Sequence, residues 1–493
     1  MALAFDNKKY LELQSKKILE RVEKFDKKLY LEFGGKLFDD FHASRVLPGF
    51  EPDSKLKMLL SIKDKVEVVV VISALDIQNN KIRNDLGINY ESEVLRLIDA
   101  FRDSGLYVGS VCINQYHPVP QVINFNNKLN NLGIKTHFAY EIEGYPHNIE
   151  KIICENGFGK NDFIETSRPV VVMTAPGPGS GKMAMCLSQL YHENKRGIKA
   201  GYAKYETFPV WNLSLSHPVN LAYEAATADL NDVNMIDPYH LETYNELVVN
   251  YNRDIESFPV VKTMLEAIYG TSPYQSPTEM GVNMVGFAIS DDDIACDASK
   301  REIVRRYLNS LIDLRNGKIK RESCDKIALL MHKLNIGVHN RKCVTAALEK
   351  RDETNTVSMA MELTDGTIIK SKTSSLLSAP AALVLNALKY LAGINDELTL
   401  ISPSIIEPIS QMKISNLGNK NPRLHIDEVL IALCISAKTN PLAELAMEKL
   451  PLLKGCEAHS TAILALVDCE VLKNLGINLT SEPEVFAKKL YYN

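Results

Sequence analysis

The residues with the plainest chemistry lie between Arg168 and Met183, in the run RPVVVMTAPGPGSGKM. An apolar strand leads into a glycine-rich turn, the turn ends in Lys182, and helical spacing begins near Met183 and runs to about Asn194. Gly177, Gly179 and Gly181 let backbone N–H groups approach phosphate oxygens closely. The helix start adds unpaired N–H groups with a partial positive charge, and Lys182 adds a full one. The expected ligand is a nucleotide or another phosphorylated small molecule, held by Gly177, Gly179, Ser180, Gly181 and Lys182. Lys182 is also the candidate catalytic group, because neutralising charge on a transferred or leaving phosphate is what a phosphotransferase or nucleotide hydrolase requires. The pattern departs from the strict nucleotide loop, G-x-x-x-x-G-K-[S/T]. Pro176 stands where the first glycine belongs, and Met183 replaces the hydroxyl residue that would hold magnesium. Ser180 or Thr174 could supply a hydroxyl instead. The plain alternative is a strand-to-helix turn with a solvated lysine.

A second strand ends the same way, at Gly34, Gly35 and Lys36 after Glu32 and Phe33, and these three are a second candidate phosphate contact. Asp39, Asp40, His42 and Arg45 follow in an irregular stretch before Pro48, the kind of long ordered loop that is often functional, although a two-glycine turn is common without function. Lys204 to Thr207 close a later strand and reach the same edge. His217, Glu224, Asp229, Asp232 and Asp237 come next, carboxylates able to hold magnesium in place of the missing hydroxyl, or simply helix caps. Asp291, Asp292 and Asp293 read as a cap or a surface turn. Near the C-terminus Cys456 and His459 flank Glu457 and are candidate catalytic residues, as a thiol–base pair or a metal pair. A cysteine and a histidine at a helix start, with Ser460 and Thr461 as caps, is the ordinary reading of the same residues. His339, Arg341 and Lys342 form a small basic cluster.

The elements that must position these groups follow a regular rhythm. Apolar runs at 28–33, 66–74, 108–114, 135–141, 169–174 and 199–205 are separated by helical periodicity at 91–102, 119–132, 148–156 and after 182. Val- and Ile-rich strands joined by helices predict a parallel sheet covered on both faces, doubly wound and P-loop-like, with ligands at the carboxyl ends of its strands. Beyond 205 the alternation stops. Residues 209–335 carry helical stretches at 219–228, 240–258, 260–268, 299–315 and 324–334, and a third region alternates as strands around 356–373 with an Asp365-Gly366 hairpin turn before further helices and a closing helix at 484–491. The expected class is α/β, in three domains: 1–208 with the phosphate-binding loop, a helical domain at 209–335, and a C-terminal α/β domain at 336–493.

At 493 residues the chain is long enough for several cores, since single cores stop growing at roughly 250–300 residues. Hydrophobic residues at 45% and charged residues at 24% match ordinary globular averages. A net charge of -5 gives no basic footprint and argues against nucleic acid as the main partner. The nine cysteines form no CxxC, so neither a zinc knuckle nor a disulfide framework is expected, and a reduced cytoplasm is the simplest setting. The first residues lead into a charged helical segment without an apolar signal region, and the longest apolar run, 66–75, is too short to span a bilayer, so no membrane association is expected. A homo-oligomer is compatible with all of this.

Three runs carry a resemblance. Leu29 to Asp40 (LYLEFGGKLFDD), Thr174 to Met183 (TAPGPGSGKM) and Gly455 to Ser460 (GCEAHS) resemble those of a bacterial family of about this length catalogued only as a domain of unknown function. The similarity covers essentially the whole chain. It implies a cytosolic bacterial protein with an α/β N-terminal part, a helical middle and a separate α/β C-terminal part. It implies no reaction, so the site residues above rest on their own chemistry.

Overall fold

The computed structural model describes residues 3–34, 37–38, 40–83 and 86–485. The chain divides into two compact units, Ala2–Glu224 with Asp232–Ala298, and Ala225–Asn231 with the chain from Ser299 onward. The helical stretch at 209–335 is thus shared: 209–224 and 232–298 fall in the first unit, 225–231 and 299–335 in the second.

The first unit is built on seven strands: β1 (Leu29–Phe33), β2 (Val66–Ser73), β3 (Tyr107–Asn114), β4 (Lys135–Phe138), β5 (Val170–Thr174), β6 (Gly201–Tyr205) and β7 (Gly281–Val282). They pair in the order β7-β6-β1-β5-β2-β3-β4, and every pairing is parallel. The doubly wound sheet expected from the valine runs is therefore present. β1, β2 and β5 are buried at every position, as strands covered on both faces must be. Alternation splits their side chains between two cores. Leu29, Leu31, Val68, Val70 and Val172 face one, and Tyr30, Val69, Val71, Val171, Met173 and Tyr202 face the other.

The principal helices of this unit are α1 (Asn7–Glu23), α2 (Tyr90–Asp103), α3 (Lys182–Lys195) and α4 (Asn252–Tyr269). From β2 the chain passes through α2 to β3 on one side. From β5 it passes through α3 to β6 on the other. Adjacent strands β5 and β2 thus send their connections in opposite directions, a topological switch point of the kind at which open parallel sheets bind ligands. α4 packs on α3 through Phe258, Val261, Met264, Leu265 and Ile268, and so closes over that face.

One local expectation needs correction, and one strand was not anticipated. Helical spacing at 240–258 runs through a break: the helix Pro238–Tyr244 stops at Asn245, which adopts left-handed geometry, and Val249–Tyr251 is a strand antiparallel to Asn234–Ile236. β7 has only two residues, too few to show a strand's period of two.

The second unit contains a four-stranded mixed sheet of β8 (Ser358–Glu362), β9 (Ile368–Lys372), β10 (Glu457–Ser460) and β11 (Asn478–Ser481), ordered β9-β8-β10-β11. β8 and β9 form the expected hairpin around Asp365 and Gly366. The helix Ala379–Leu391 buries Leu383, Val384, Ala387 and Leu388 in this unit's core. Most of the closing helix expected at 484–491 lies outside the described residues. Among the described residues no helix is long and apolar enough to cross a membrane.

Candidate functional site

The glycine loop leaves the carboxyl end of β5 beside this switch point. Gly181 is the N-cap of α3 at φ +89, and with no side chain to cap the helix it leaves the first N–H groups directed at the loop. Tight packing against the start of α2 and the end of β3 explains Gly177 and Gly181. A Cβ on Gly177 would stand 2.1 Å from the Tyr90 hydroxyl, and one on Gly181 would stand 2.0 Å from Nδ2 of Asn114. Asn114, the last residue of β3, donates to the Ser180 carbonyl at 3.4 Å. Ser180 is fully buried, and its hydroxyl donates to the Gly177 carbonyl at 3.0 Å. Its oxygen therefore braces the loop from inside.

Lys182 opens α3 and shares its surroundings with Glu32 of β1, Lys204 of β6, Cys186 and Arg253. Burial lowers its pKa, with the Glu32 charge working against that effect. Among the described residues its ammonium has neither a hydrogen bond nor an ion pair. Lys204 is the opposite case. Its ammonium contacts Asp254 at the start of α4, Oε1 of Glu206 at 3.1 Å, and the Tyr251 hydroxyl. Those carboxylates and the Tyr251 hydroxyl hold its pKa well above the ordinary lysine value, against the penalty of burial. Glu206 is raised to about 8 by burial, and the neighbouring Asp254 adds to the shift while Lys204 opposes it. The Glu206 carboxyl therefore keeps its proton into the neutral range. The Tyr202 hydroxyl donates to Glu32 at 2.6 Å. Tyr223 stacks on Phe208 with centroids 5.8 Å apart, and the Arg253 guanidinium lies 5.3 Å from the Tyr251 ring and 3.0 Å from Asp232. The fold thus brings Lys182, Glu32, Lys204, Glu206, Asp254 and Tyr251 to one carboxyl edge.

Two family models match the chain, described as the N-terminal and C-terminal parts of Domain of unknown function DUF1846, over residues 3–335 and 339–492. The chain belongs to the DUF1846 family. It is 56% identical over 488 residues to a UPF0371 protein of Streptococcus thermophilus and 55% identical over 488 residues to one of Streptococcus pneumoniae, in each case spanning 99% of both chains. The resemblance drawn from the three sequence runs is therefore correct. The DUF1846 description carries no reaction, so function must be argued from the site.

The remaining candidates are placed as follows. Gly34 follows β1, and its N–H donates to the Tyr205 carbonyl at 3.4 Å; Gly35, Lys36 and Asp39 lie outside the described residues. Asp40 caps Ala43 and pairs with Lys55 at 2.9 Å, and the His42 ring packs edge-on against Phe208. Glu224 accepts from the Asn234 N–H, and Asp237 is fully buried, capping the following helix and accepting from Thr278. His217 caps its helix through Nδ1, which accepts from Val219 at 3.2 Å, while Nε2 lies 3.0 Å from Asp292 and 3.6 Å from Cys296. With Nδ1 accepting, the neutral ring carries its proton on Nε2, so this trio is a hydrogen-bonded cap.

The thiol–base pair expected of Cys456 and His459 is not formed. The stretch is strand β10 and its entry, not a helix start, and an odd spacing on a strand puts the two on opposite faces. Cys456 lies in the apolar core of its unit, where burial pushes its thiol up to about 11. His459 is fully buried, bonded to Thr480 at 2.9 Å and 3.2 Å from Glu482, and burial lowers its pKa. Arg341 is not a surface cation either. It is 1% exposed, pairs with Glu457 at 2.6 Å and donates to the carbonyls of Ala458 and Asn478.

Sequence reading missed Asp254, Tyr251 and Tyr202. Tyr202 had a usable signal, because residues 202, 204 and 206 share one face of an extended chain. Asp254 and Tyr251 had none, since only the packing of α4 on α3 brings them to Lys204.

Proposed function

We propose that the protein binds a phosphorylated small molecule, a nucleotide or a compound of like charge, at the loop Gly177 to Lys182 and acts on it as an enzyme. One observation carries this reading: Lys182, its charged form disfavoured by burial, is left without a partner among the described residues, at the start of a helix whose first N–H groups have no side-chain cap. A half-buried cation without a partner is costly, and an anion delivered to it removes the cost. The loop's braced geometry supports the same reading, because Tyr90 and Asn114 pack against Gly177 and Gly181 and hold the backbone in place. The nine cysteines are all free thiols, which supports a cytoplasmic setting.

A thermal-shift and calorimetry panel of nucleotides and phosphorylated metabolites tests this on the wild type and Lys182→Ala. A ligand at about 100 times its Kd should add about 2.7 kcal/mol of stability to the wild type and little to the variant. No binding by wild type, or equal binding by the variant, removes the reading. A non-catalytic sensor using the same loop would bind equally well, and product analysis separates the two: an enzyme turns its ligand over and a sensor does not.

A further inference from the structure

The loop raises a question of charge. Where a glycine-rich loop binds phosphate with magnesium, a hydroxyl after the lysine and nearby carboxylates supply the metal's ligands. Here Met183 offers no hydroxyl, and the Ser180 hydroxyl is turned to the Gly177 carbonyl. The carboxyl groups that could replace them are Glu32, which accepts from the Tyr202 hydroxyl at 2.6 Å, and the pair Glu206 and Asp254. Both members of that pair are turned onto the Lys204 ammonium, whose three N–H directions are taken by Asp254, Glu206 and the Tyr251 hydroxyl. Farther out, Asp232 is held by Arg253 at 3.0 Å, and Glu224 and Asp237 are held by backbone donors. The donor set does not fit a divalent cation, because an ammonium already sits at its focus.

We propose that Lys204 is the fixed positive charge of this site, standing where other phosphate-binding loops use a metal, so that the phosphorylated ligand is bound without a divalent cation. This rests on the glycine-loop reading given above. Lys204 is in register with Glu32 on the adjacent strand and is close enough to Lys182 for the two ammonium groups to repel. The arrangement is a graded pair of cations. Lys182, unpartnered among the described residues, meets the ligand, and Lys204, fully partnered, sets the potential behind it without leaving its carboxyl groups. A metal could enter only by displacing Lys204, and that exchange would set two positive charges against Lys182 in place of one.

The experiment has two arms. Pyrophosphate is titrated into the full-length wild type in excess EDTA and again in excess magnesium. Binding in EDTA should be at least as tight as in magnesium; a Kd about tenfold weaker in EDTA, or binding seen only with magnesium, overturns the proposal while leaving the loop as the site. Absence of binding in both buffers counts against the loop itself, and the second arm then decides the claim on Lys204 alone. In that arm manganese alone is followed by electron paramagnetic resonance. Wild type should show no ion whose binding is lost in Glu206→Gln. Lys204→Ala should gain one bound ion, competed by magnesium and lost again when Glu206→Gln is added. A wild-type manganese site that Glu206→Gln removes overturns the proposal, as does a folded Lys204→Ala protein that binds none. Should Lys204→Ala not fold, wild type against Glu206→Gln still decides the claim: a manganese ion lost on that substitution overturns it, and equal spectra uphold it.

Discussion

Lys182, half-buried at the large sheet, and Arg341, fully buried at the small one, are both basic residues drawn away from water, and the protein treats them in opposite ways. Arg341 faces Glu457, with two strand carbonyls accepting from its guanidinium. Lys182 has a carboxyl group nearby in Glu32 but, among the described residues, no partner in contact. A buried charge surrounded by acceptors is part of the architecture, because removing it strands the groups that held it. A buried charge left short of partners is held by the fold at a cost, and that cost is recovered only when a ligand of opposite sign arrives. On the function proposed above, the contrast separates a structural cation from a binding one without reference to any reaction.

The contrast can be broken in four ways, taken from the largest effect to the smallest. Arg341→Met should destabilise the C-terminal unit by about 3–5 kcal/mol, since among the described residues it leaves the Glu457 charge with only the Asn478 amide as partner and takes a donor from the carbonyls of Ala458 and Asn478. Urea unfolding measures this, and a loss below about 1 kcal/mol would make Arg341 no different from a surface residue. Gly181→Ala forces a side chain into left-handed backbone and against Asn114, for about 1–3 kcal/mol and loss of phosphate binding together. Wild-type affinity in that variant would show that the loop is not the site.

Lys182→Met should leave stability unchanged or raise it by about 1 kcal/mol while abolishing the ligand-induced thermal shift. Its pH dependence has a definite sign. The folded pKa of Lys182 lies below the unfolded value of 10.5, so between the two the unfolded chain binds more protons and wild-type stability rises with pH relative to the variant. Denaturation at pH 8 and near pH 10 should show the gap closing; a widening gap contradicts the burial argument. The smallest effect belongs to His425, a cation that does have a partner. The hydrogen bond to Asp468, 2.8 Å long, raises its pKa. Its contribution is therefore complete below its unfolded pKa of about 6.5 and is lost as pH rises through the folded value, a change of at most about 1 kcal/mol. His425→Gln should flatten that slope, and an unchanged slope assigns it to another group.

Much of the large sheet was legible because buried parallel strands write themselves as runs of valine and isoleucine, as at 66–72 and 170–172. β7 was not, because Gly281 and Val282 pair with β6 only where the returning chain places them. The glycine loop was legible from residue order alone. Its braces were not, since Tyr90 and Asn114 come from elements that meet the loop only in the folded sheet. Cys456 and His459 teach the sharpest lesson. A spacing of three shares a face on a helix and splits across a strand, so assigning the wrong element turned two separated side chains into a pair. Lys204 and Glu206 were recognised as belonging to the edge, while their shared partner Asp254 depended on the docking of α4.

The clamping of the glycine loop bears on how fast a ligand could bind. Gly177 and Gly181 leave no room between the backbone and the side chains of Tyr90 and Asn114, and Ser180 ties the loop to itself. Such a loop has little conformational freedom to surrender when phosphate arrives, so encounter, and not reorganisation, should set the association rate. Differences in affinity among phosphorylated compounds would then be expressed as residence times. Stopped-flow traces would be single exponentials whose observed rate climbs linearly with ligand concentration.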